Sequence, residues 1–364
     1  MPKPDKFPHA GSGGVSRLVS DRFQYAGSRG VSRLISDRLD PNAILEAEIG
    51  PAYREYRRRW NLARTFAEDP PFPLHVDYEM KFACNLRCPM CLMSLPPEKR
   101  AGYGQAGAEL GAQTVADLID EGAASGQMAM GFGGLWEPLL SPHLPELVER
   151  ARRKGLVDVM FNTNGLLLTE KTGLELIRGG LTRLMISLDA DTRATYDKMR
   201  VGSDFETVCA NIKNFLKLRK KLNSRLPLVR LSFCLTALNE HELDAFMNRW
   251  REEVDFFSIQ SYGRYDGAAP PGFPAQNRQP APAGRCAQPH KRLLVRHNGQ
   301  VLPCCDASAA AGLTVGRLQE ERLADIWRGR PLTELRQSLK NEDYSGPAAL
   351  CLACREKFQP PFTF

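Results

Sequence analysis

Short apolar runs alternate with longer amphipathic stretches from about residue 74 to residue 262. The runs predict buried strands, and the stretches, with apolar residues every three or four positions, predict helices that pack on them. The first pair is LHVDYEM and TVADLIDEGAA, and the last strand is VDFFSIQSY. About six such units in series imply parallel strands with helices outside. The sequence therefore predicts an α/β fold with a partial (β/α)6 TIM-like barrel, whose chemistry lies at the carboxyl ends of the strands.

The N-terminal extension, residues 1–73, has a different pattern. A 16-residue unit at 9–24 is repeated at 25–40, and its V-S-R-L-[VI]-S-D-R block predicts a turn or two of amphipathic helix. We interpret the repeat as a duplication in a weakly constrained tail; a docking arm for a partner is the alternative. Residues 41–66 predict a more regular helix. We expect no separate leader-peptide-binding domain in this extension.

The remaining boundaries follow from composition. A Pro- and Gly-rich stretch without periodicity predicts a linker. The predicted units are the N-terminal extension, a barrel at 74–264, a linker at 265–285 and a small cysteine-bearing domain at 286–364.

Composition and charge narrow the function classes. No apolar stretch is long enough to cross a bilayer, and the N-terminus lacks a secretory signal, so we expect a cytoplasmic protein without a membrane partner. Ten cysteines in that compartment favour metal or redox chemistry over disulfides. Residues 1–64 hold twelve Lys or Arg and seven Asp or Glu, so most of the chain's net charge of +7 lies there. We interpret this excess as a solvated surface and do not expect a nucleic-acid partner.

Three cysteines, Cys84, Cys88 and Cys91, lie in the stretch CNLRCPMC directly after the first predicted strand. Three adjacent thiolates repel one another unless a cation holds them. A cubane iron–sulfur cluster takes four ligands, so three cysteines would leave one iron without a thiolate. Zinc is the alternative and would need a further ligand from another segment. Zinc patterns, however, usually contain paired C-x2-C units.

This C-x3-C-x2-C triplet after the first strand resembles the radical S-adenosylmethionine (radical SAM) superfamily. In that family the triplet holds three irons of a [4Fe-4S] cluster, and SAM chelates the fourth through its amino and carboxylate groups. The resemblance implies reductive cleavage of SAM to a 5′-deoxyadenosyl radical, with flavodoxin or ferredoxin as an electron donor. It covers residues 74–262 and extends to the stretches GFGGLWEPLL, NTNG and SLDA.

Those stretches supply the SAM contacts that the resemblance implies. In GFGGLWEPLL, glycines and an acid would grip the amino group, although two residues separate them here. NTNG resembles the family's TNG turn, and SLDA would reach the SAM carboxylate and ribose; capping of the next helix is the alternative for its Ser and Asp. An arginine would pair with the SAM carboxylate or form a surface salt bridge. The implied contacts are Gly133, Gly134, Glu137, Asn164, Ser187, Asp189 and Arg200.

The C-terminal domain carries a second set of cysteines, Cys286, Cys304, Cys351 and Cys354. Four thiolates can ligate a [4Fe-4S] cluster completely, and from spacing alone zinc is an equal alternative. The glycine five residues before Cys304, an IW stretch and the closing C-x2-C resemble the SPASM or twitch extension of radical SAM enzymes. That resemblance implies one auxiliary [4Fe-4S] cluster.

A fully ligated cluster has no site for substrate and suits electron transfer. We therefore expect oxidation of a small polar substrate, such as a sugar or aminocyclitol, with a peptide as the less favoured substrate. The alternatives are peptide modification and epimerisation, in which a thiol returns a hydrogen atom. The candidate thiols are Cys234, which strand alternation places in the barrel lumen, and Cys305, which adjoins Cys304.

Overall fold

The structure is a computed structural model that describes residues 25–27, 32–35, 40–104, 107–261, 285–304 and 312–352. Two of the candidate residues, Cys305 and Cys354, lie outside these ranges, as does most of the predicted linker. No helix in the described part of the chain is both long enough and apolar enough to span a bilayer.

Within the described residues, eleven strands form one open sheet in the order β1-β2-β8-β7-β6-β5-β4-β3-β9-β10-β11. The strands are β1 (Tyr25–Gly27), β2 (Ser32–Ile35), β3 (His75–Tyr78), β4 (Ala129–Phe132), β5 (Asp158–Thr163), β6 (Arg183–Ser187), β7 (Leu228–Leu235), β8 (Phe256–Ser261), β9 (Arg292–Val295), β10 (Gln300–Leu302) and β11 (Gly316–Arg317).

The six strands β3 to β8 are parallel neighbours in chain order and form the predicted partial barrel. The fold class expected from the sequence is confirmed. The helices that connect or follow these strands are α3 (Pro97–Arg100), α4 (Ala112–Ser125), α5 (Leu144–Arg153), α6 (Glu170–Arg178), α7 (Arg193–Met199), α8 (Phe205–Lys221) and α9 (Leu243–Trp250).

Because side chains alternate along each strand, one face of the sheet is apolar and packs under the helices, and the other face is more polar. On β7, Leu231 and Phe233 are fully buried and belong to the core under the helices, where Phe233 contacts Phe246 with ring centroids 4.9 Å apart. The residues between them, Ser232 and Cys234, face the opposite side, which is the barrel lumen. The alternation that places Cys234 in the lumen agrees with the burial of this strand, and the role of Cys234 as a hydrogen-atom donor stays a prediction.

Two helices, α1 (Pro41–Ile49) and α2 (Pro51–Arg64), close the amino-terminal end of the barrel. The helix predicted over 41–66 is confirmed, with a break at Gly50. The φ of this residue is 82°, a backbone conformation that favours glycine. Tyr53, Tyr56 and Trp60 pack with the first residues of several strands, among them Leu228. The lumen is therefore sealed at this end.

The repeat before these helices does not form the predicted helix. In its second copy, Ser32–Ile35 is strand β2. This strand pairs antiparallel with both β1 and β8. The block contains β-branched residues, which suit a strand, and the open edge of β8 offers backbone partners that a short isolated helix would lack. The helical expectation was wrong for this copy; the first copy lies outside the described residues.

The C-terminal segment continues the same sheet. Strand β9 pairs in parallel with β3, and β10 and β11 follow antiparallel beyond it. The helices α10 (Leu323–Arg328) and α11 (Arg330–Lys340) cover this extension, and Trp327 donates from Nε1 to the backbone of Pro70 at 2.8 Å. The cysteine-bearing segment is thus joined to the first strand of the barrel.

Candidate active site

The triplet Cys84, Cys88 and Cys91 lies in the loop after β3, at the carboxyl end of the barrel. Each sulfur accepts a hydrogen bond from an N–H group. Leu86 N–H donates to Cys84 Sγ at 3.4 Å, Met93 N–H donates to Cys91 Sγ at 3.5 Å, and Arg200 donates to Cys88 Sγ at 3.8 Å. Such donors stabilise thiolates and tune a cluster bound to them.

Charge repulsion also points to a bound cation. Burial raises the pKa of Cys84 to about 11, and the other two thiols add to this shift. Three thiolates are stable here only when a metal centre neutralises them. In the residues that the structure describes, no three Cys, His, Asp or Glu side chains are close enough to hold a single metal ion. Three thiolates fit the cluster that the resemblance implies, because a cubane spreads its thiolates over separate irons.

Glu137 is buried and joins three segments. Its carboxylate accepts hydrogen bonds from Thr163 Oγ1 at 2.7 Å, from Asn164 N–H at 2.8 Å and from Leu139 N–H at 3.1 Å. Burial raises the pKa of Glu137, and these donors oppose the rise. The backbone N–H of Glu137 donates to Ala83 O at 2.9 Å, directly before the cysteine triplet. Glu137 therefore connects the loop after β4 to the turn after β5 and to the cysteine loop.

The two glycines of the same loop lie against β3. Gly134 has a φ of 100°, and a Cβ on it would come within 2.2 Å of Glu79 Oε2. A Cβ on Gly133 would lie 3.1 Å from Asp77 Oδ1. Gly134 thus needs glycine because the β4 loop approaches Glu79, directly after β3, whereas a side chain on Gly133 would require a small shift of Asp77. Their contact with SAM stays a prediction.

Asn164 and Ser187 end the next two strands. Asn164 is buried, and its Nδ2 donates to Asn85 Oδ1 at 2.8 Å, which ties the turn after β5 to the cysteine loop. Ser187 is half-buried on the lumen face of β6. Asn85 was missed from the sequence, because a residue between two cysteines gives no sign of its partner until the loops are placed.

Arg200 links the fourth strand's loop to the cluster cysteines. Its guanidinium forms a buried ion pair with Asp189 and also contacts Cys88 Sγ. Burial opposes the charge of Arg200, but the Asp189 carboxylate raises the pKa of the guanidinium above its ordinary value. Asp189 has a φ of 61° and accepts from Cys234 N–H at 2.7 Å. This salt bridge is buried, so the surface salt bridge considered from the sequence is wrong.

Cys234 lies beside this pair. It is half-buried and packs near Met199, Met90 and Leu238. Burial raises the pKa of its thiol well above the ordinary value, and the Asp189 carboxylate adds to the effect. A neutral S–H group therefore faces the lumen next to the cysteine triplet.

Three of the four predicted auxiliary ligands are described. Burial raises the pKa of Cys351 to about 12, with a further contribution from Cys286, so these two thiols are neighbours. Cys304 packs in a different apolar cluster, together with Cys84 and Cys91. The auxiliary segment thus reaches the region of the first triplet through Cys304.

Glu79 was also missed from the sequence. It is fully buried; its carboxylate accepts from Leu135 N–H at 2.6 Å, from Arg296 Nε at 3.1 Å and makes a 2.6 Å contact with His297 Nδ1. An acidic residue at the end of an apolar strand is the signal that could have found it. Glu79 connects the barrel, the β4 loop and the C-terminal segment.

Comparisons with known proteins match the two parts of the chain separately. The protein-family model for the radical SAM superfamily matches residues 78–248 of this chain. The model described as an iron–sulfur cluster-binding domain, SPASM, matches residues 286–355.

Individual relatives agree with these matches. A GTP 3′,8-cyclase of Chlorobaculum tepidum is 31% identical over 211 residues, which cover 53% of this chain and 59% of that protein. The PqqA peptide cyclase of Granulibacter bethesdensis is 26% identical over 301 residues, 72% of this chain and 75% of that protein. The chain spans about half, 52%, of a probable GTP 3′,8-cyclase from Methanococcus maripaludis.

A solved structure shares the fold. SuiB from Streptococcus suis, bound to its precursor peptide SuiA, aligns with a TM-score of 0.59 at 14% identity. The alignment covers 78% of this chain and 70% of that one.

Proposed function

The chain belongs to the radical SAM superfamily and carries a C-terminal SPASM domain, and on this premise we propose that it modifies a peptide by radical chemistry. It is therefore an enzyme that uses SAM, a [4Fe-4S] cluster and auxiliary iron–sulfur chemistry. When bound, these groups supply a 5′-deoxyadenosyl radical that removes a hydrogen atom from the substrate, and an acceptor for the electron left behind.

The protein's own residues position and shield that chemistry. Cys84, Cys88 and Cys91 would hold the SAM-binding cluster, and their N–H donors fix the thiolates. Arg200 holds Cys88 from the side of β6, and Glu137 holds the turn after β5 against the cysteine loop. The helices α1 and α2 seal the lumen below, so substrate enters from the carboxyl end. We propose that the seven residues predicted from the sequence to contact SAM do so at this carboxyl end of the barrel.

The observation that carries the peptide substrate is the match to PqqA peptide cyclase, which extends over 72% of this chain. The name of that relative states a peptide substrate, and SuiB, which has the same fold, is bound to its precursor peptide. In this proposal a peptide replaces the small polar substrate that we expected from the sequence. Oxidation remains the proposed reaction type, because an auxiliary cluster ligated by four cysteines, as proposed from the sequence, would suit removal of an electron.

Epimerisation is the second candidate, and the position of Cys234 favours it. Its half-buried thiol lies on the lumen face of β7, beside the Asp189–Arg200 pair that contacts Cys88. A thiol in that position could return a hydrogen atom to a substrate radical. The two candidates differ in the product, which is oxidised in the first and isomeric in the second.

Deuterium transfer tests the substrate class. The reconstituted enzyme, with SAM and dithionite in place of flavodoxin or ferredoxin, is incubated with a perdeuterated peptide mixture or with perdeuterated sugars and polyols. We expect deuterium in 5′-deoxyadenosine from the peptides. Deuterium from the sugars alone would contradict the proposal. In unlabelled peptide and deuterated water, one carbon-bound deuterium that disappears in Cys234→Ala would favour epimerisation instead.

A further inference from the structure

The lumen face of β7 carries a column of polar side chains. Arg230, Ser232 and Cys234 alternate with the buried Leu231 and Phe233. In the register of the sheet, Arg230 stands between Met185 of β6 and Phe256 of β8. The next row toward the carboxyl end contains three serines, Ser187, Ser232 and Ser258. The row above that contains Cys234, which neighbours the cysteine triplet.

This face is open to solvent in part, because Met185, Ser258 and Phe256 on it are buried. Met160, Ser187, Arg230 and Cys234 are half-buried, and Asn162 is exposed, although all lie on central strands of the sheet. The helices cover the opposite face of these strands, so water reaches the five side chains from the lumen. The column therefore lines the space between the sealed end and the candidate active site.

Arg230 has no anionic partner in the described part of the chain. Its Nε is buried without a hydrogen-bond acceptor, and no carboxylate forms an ion pair with it. The neighbouring cation, Arg183, is neutralised by Asp158 at 3.0 Å. Burial lowers the pKa of Arg230 to about 10, and the positive charge of Arg183 adds to this shift.

Ser232 provides a second unsatisfied group one row above. Only 6% of this residue is exposed, and its Oγ has no hydrogen-bond partner. A buried hydroxyl without a partner costs free energy, as does an unpaired buried cation. Both costs disappear if a ligand brings acceptor atoms to this point of the lumen.

We propose that Arg230 and Ser232 form a subsite for a carboxylate of the substrate. The proposal rests on the peptide substrate argued above and narrows it to a peptide with an acidic side chain near the reacting residue. A guanidinium binds a carboxylate through two parallel N–H donors, and the Ser232 hydroxyl supplies a third. A carboxylate held there leaves the reacting carbon one or two rows higher, toward Cys234 and the cysteine triplet.

A single charge favours a carboxylate over a polyphosphate. Recognition of a triphosphate requires several cations, whereas Arg230 is accompanied on this face by serines, Met185 and Phe256. The other nearby guanidinium, Arg183, is already engaged with Asp158. Among the described residues of this face, the single free guanidinium of Arg230 therefore matches one negative charge.

Binding of small probes to the reconstituted holoenzyme tests the subsite. The probes are N-acetylglutamate amide, N-acetylglutamine amide and inorganic tripolyphosphate, titrated by calorimetry and by thermal shift. We expect the glutamate probe to bind and the glutamine probe to bind at least about tenfold more weakly. Arg230→Gln should weaken binding of the glutamate probe by a similar factor, and Ser232→Ala should weaken it by a smaller factor. Arg193→Gln, on the surface of α7, is the matched control and should bind as the wild type does.

Two further measurements separate binding from folding. Arg193→Gln should cleave SAM without substrate as the wild type does, and Arg230→Gln should keep the iron content of the wild type, which shows that its weaker binding does not come from a failure to fold. Arg230→Met should raise the melting temperature of the unliganded protein, because it removes an unpaired buried cation. Equal binding of the glutamate probe to wild type and Arg230→Gln, tighter Arg230-dependent binding of tripolyphosphate, or a lower melting temperature of Arg230→Met would each overturn the subsite. Absence of SAM cleavage in the wild type would instead overturn the proposed function.

Discussion

Arg200 shows how one side chain connects the cysteine triplet to the barrel. It donates to Cys88 Sγ and forms a buried ion pair with Asp189, which in turn accepts from the backbone of Cys234. Removing one partner of a buried ion pair leaves the other charge without compensation. The position therefore supports both the stability of the loop and the state of the thiolate.

Replacing Arg200 with Met should destabilise the protein by about 3–5 kcal/mol, because Asp189 is then buried without its partner. Cleavage of SAM should fall together with stability, since Cys88 loses its donor. Arg193→Met, at the start of the helix α7 that ends just before Arg200, removes only exposed ion pairs and should change stability by less than about 0.5 kcal/mol. Chemical unfolding and 5′-deoxyadenosine formation measure both effects. Equal stability of the two variants would refute the role of this ion pair.

Only some of the residues that organise the site could be recognised from the sequence. The triplet was found because cysteines at this spacing have few other uses. Glu79 and Asn85 were not found, because each acts through partners more than 50 positions away in the chain. Only the folded arrangement of β3, β4, β5 and β9 brings those partners together.

At the scale of elements, α1 and α2 are held to the barrel by a buried polar network. Arg183 of β6 donates to Tyr53 Oη at 2.5 Å and pairs with Asp158 of β5. Burial would raise the pKa of Asp158, but the charge and hydrogen bonds of Arg183 more than offset it, so that pKa lies below the ordinary value.

Asp158→Asn should therefore lower the free energy of unfolding at neutral pH by about 3–5 kcal/mol, because Arg183 loses its counter-charge. A lowered pKa gives stability that is present above the unfolded aspartate value of about 3.9 and is lost as pH falls through the folded value. The difference between wild type and variant should thus shrink below about pH 4. Urea unfolding at several pH values measures it, and a difference that is constant with pH would contradict this account.

Periodicity predicted the regular elements well and the short repeat poorly. The strands and helices of the barrel are long enough for their patterns to be distinct, and they were confirmed. The block V-S-R-L-I-S-D-R has helical spacing of its apolar residues but is too short to form a stable helix by itself. The free edge of β8 decided in favour of the strand, and nothing in the local sequence reports that edge.

Over the whole molecule, the barrel and the C-terminal domain share one sheet through β3 and β9. Glu79 lies at this junction with Arg296 and His297, all three buried. We expect Glu79→Gln to lower the free energy of unfolding by about 3–5 kcal/mol, because it leaves the Arg296 cation buried without a counter-charge.

The matched control is Glu109→Gln, whose ion pair with Lys81 is partly exposed and should contribute less than about 1 kcal/mol. Thermal unfolding followed by both tryptophan fluorescence and iron absorbance measures the effect. If Glu79→Gln unfolds at the same temperature as the control, the junction does not depend on this carboxylate.

Iron content and SAM cleavage in the triple variant Cys84→Ala, Cys88→Ala, Cys91→Ala test the central claim most directly. The anaerobically reconstituted wild type should contain about eight irons per chain, in two four-iron clusters. The triple variant should retain about four irons and form no 5′-deoxyadenosine with SAM and dithionite. A triple variant that still forms 5′-deoxyadenosine, or a wild type that binds zinc instead of iron, would contradict the assignment of this loop as the radical site.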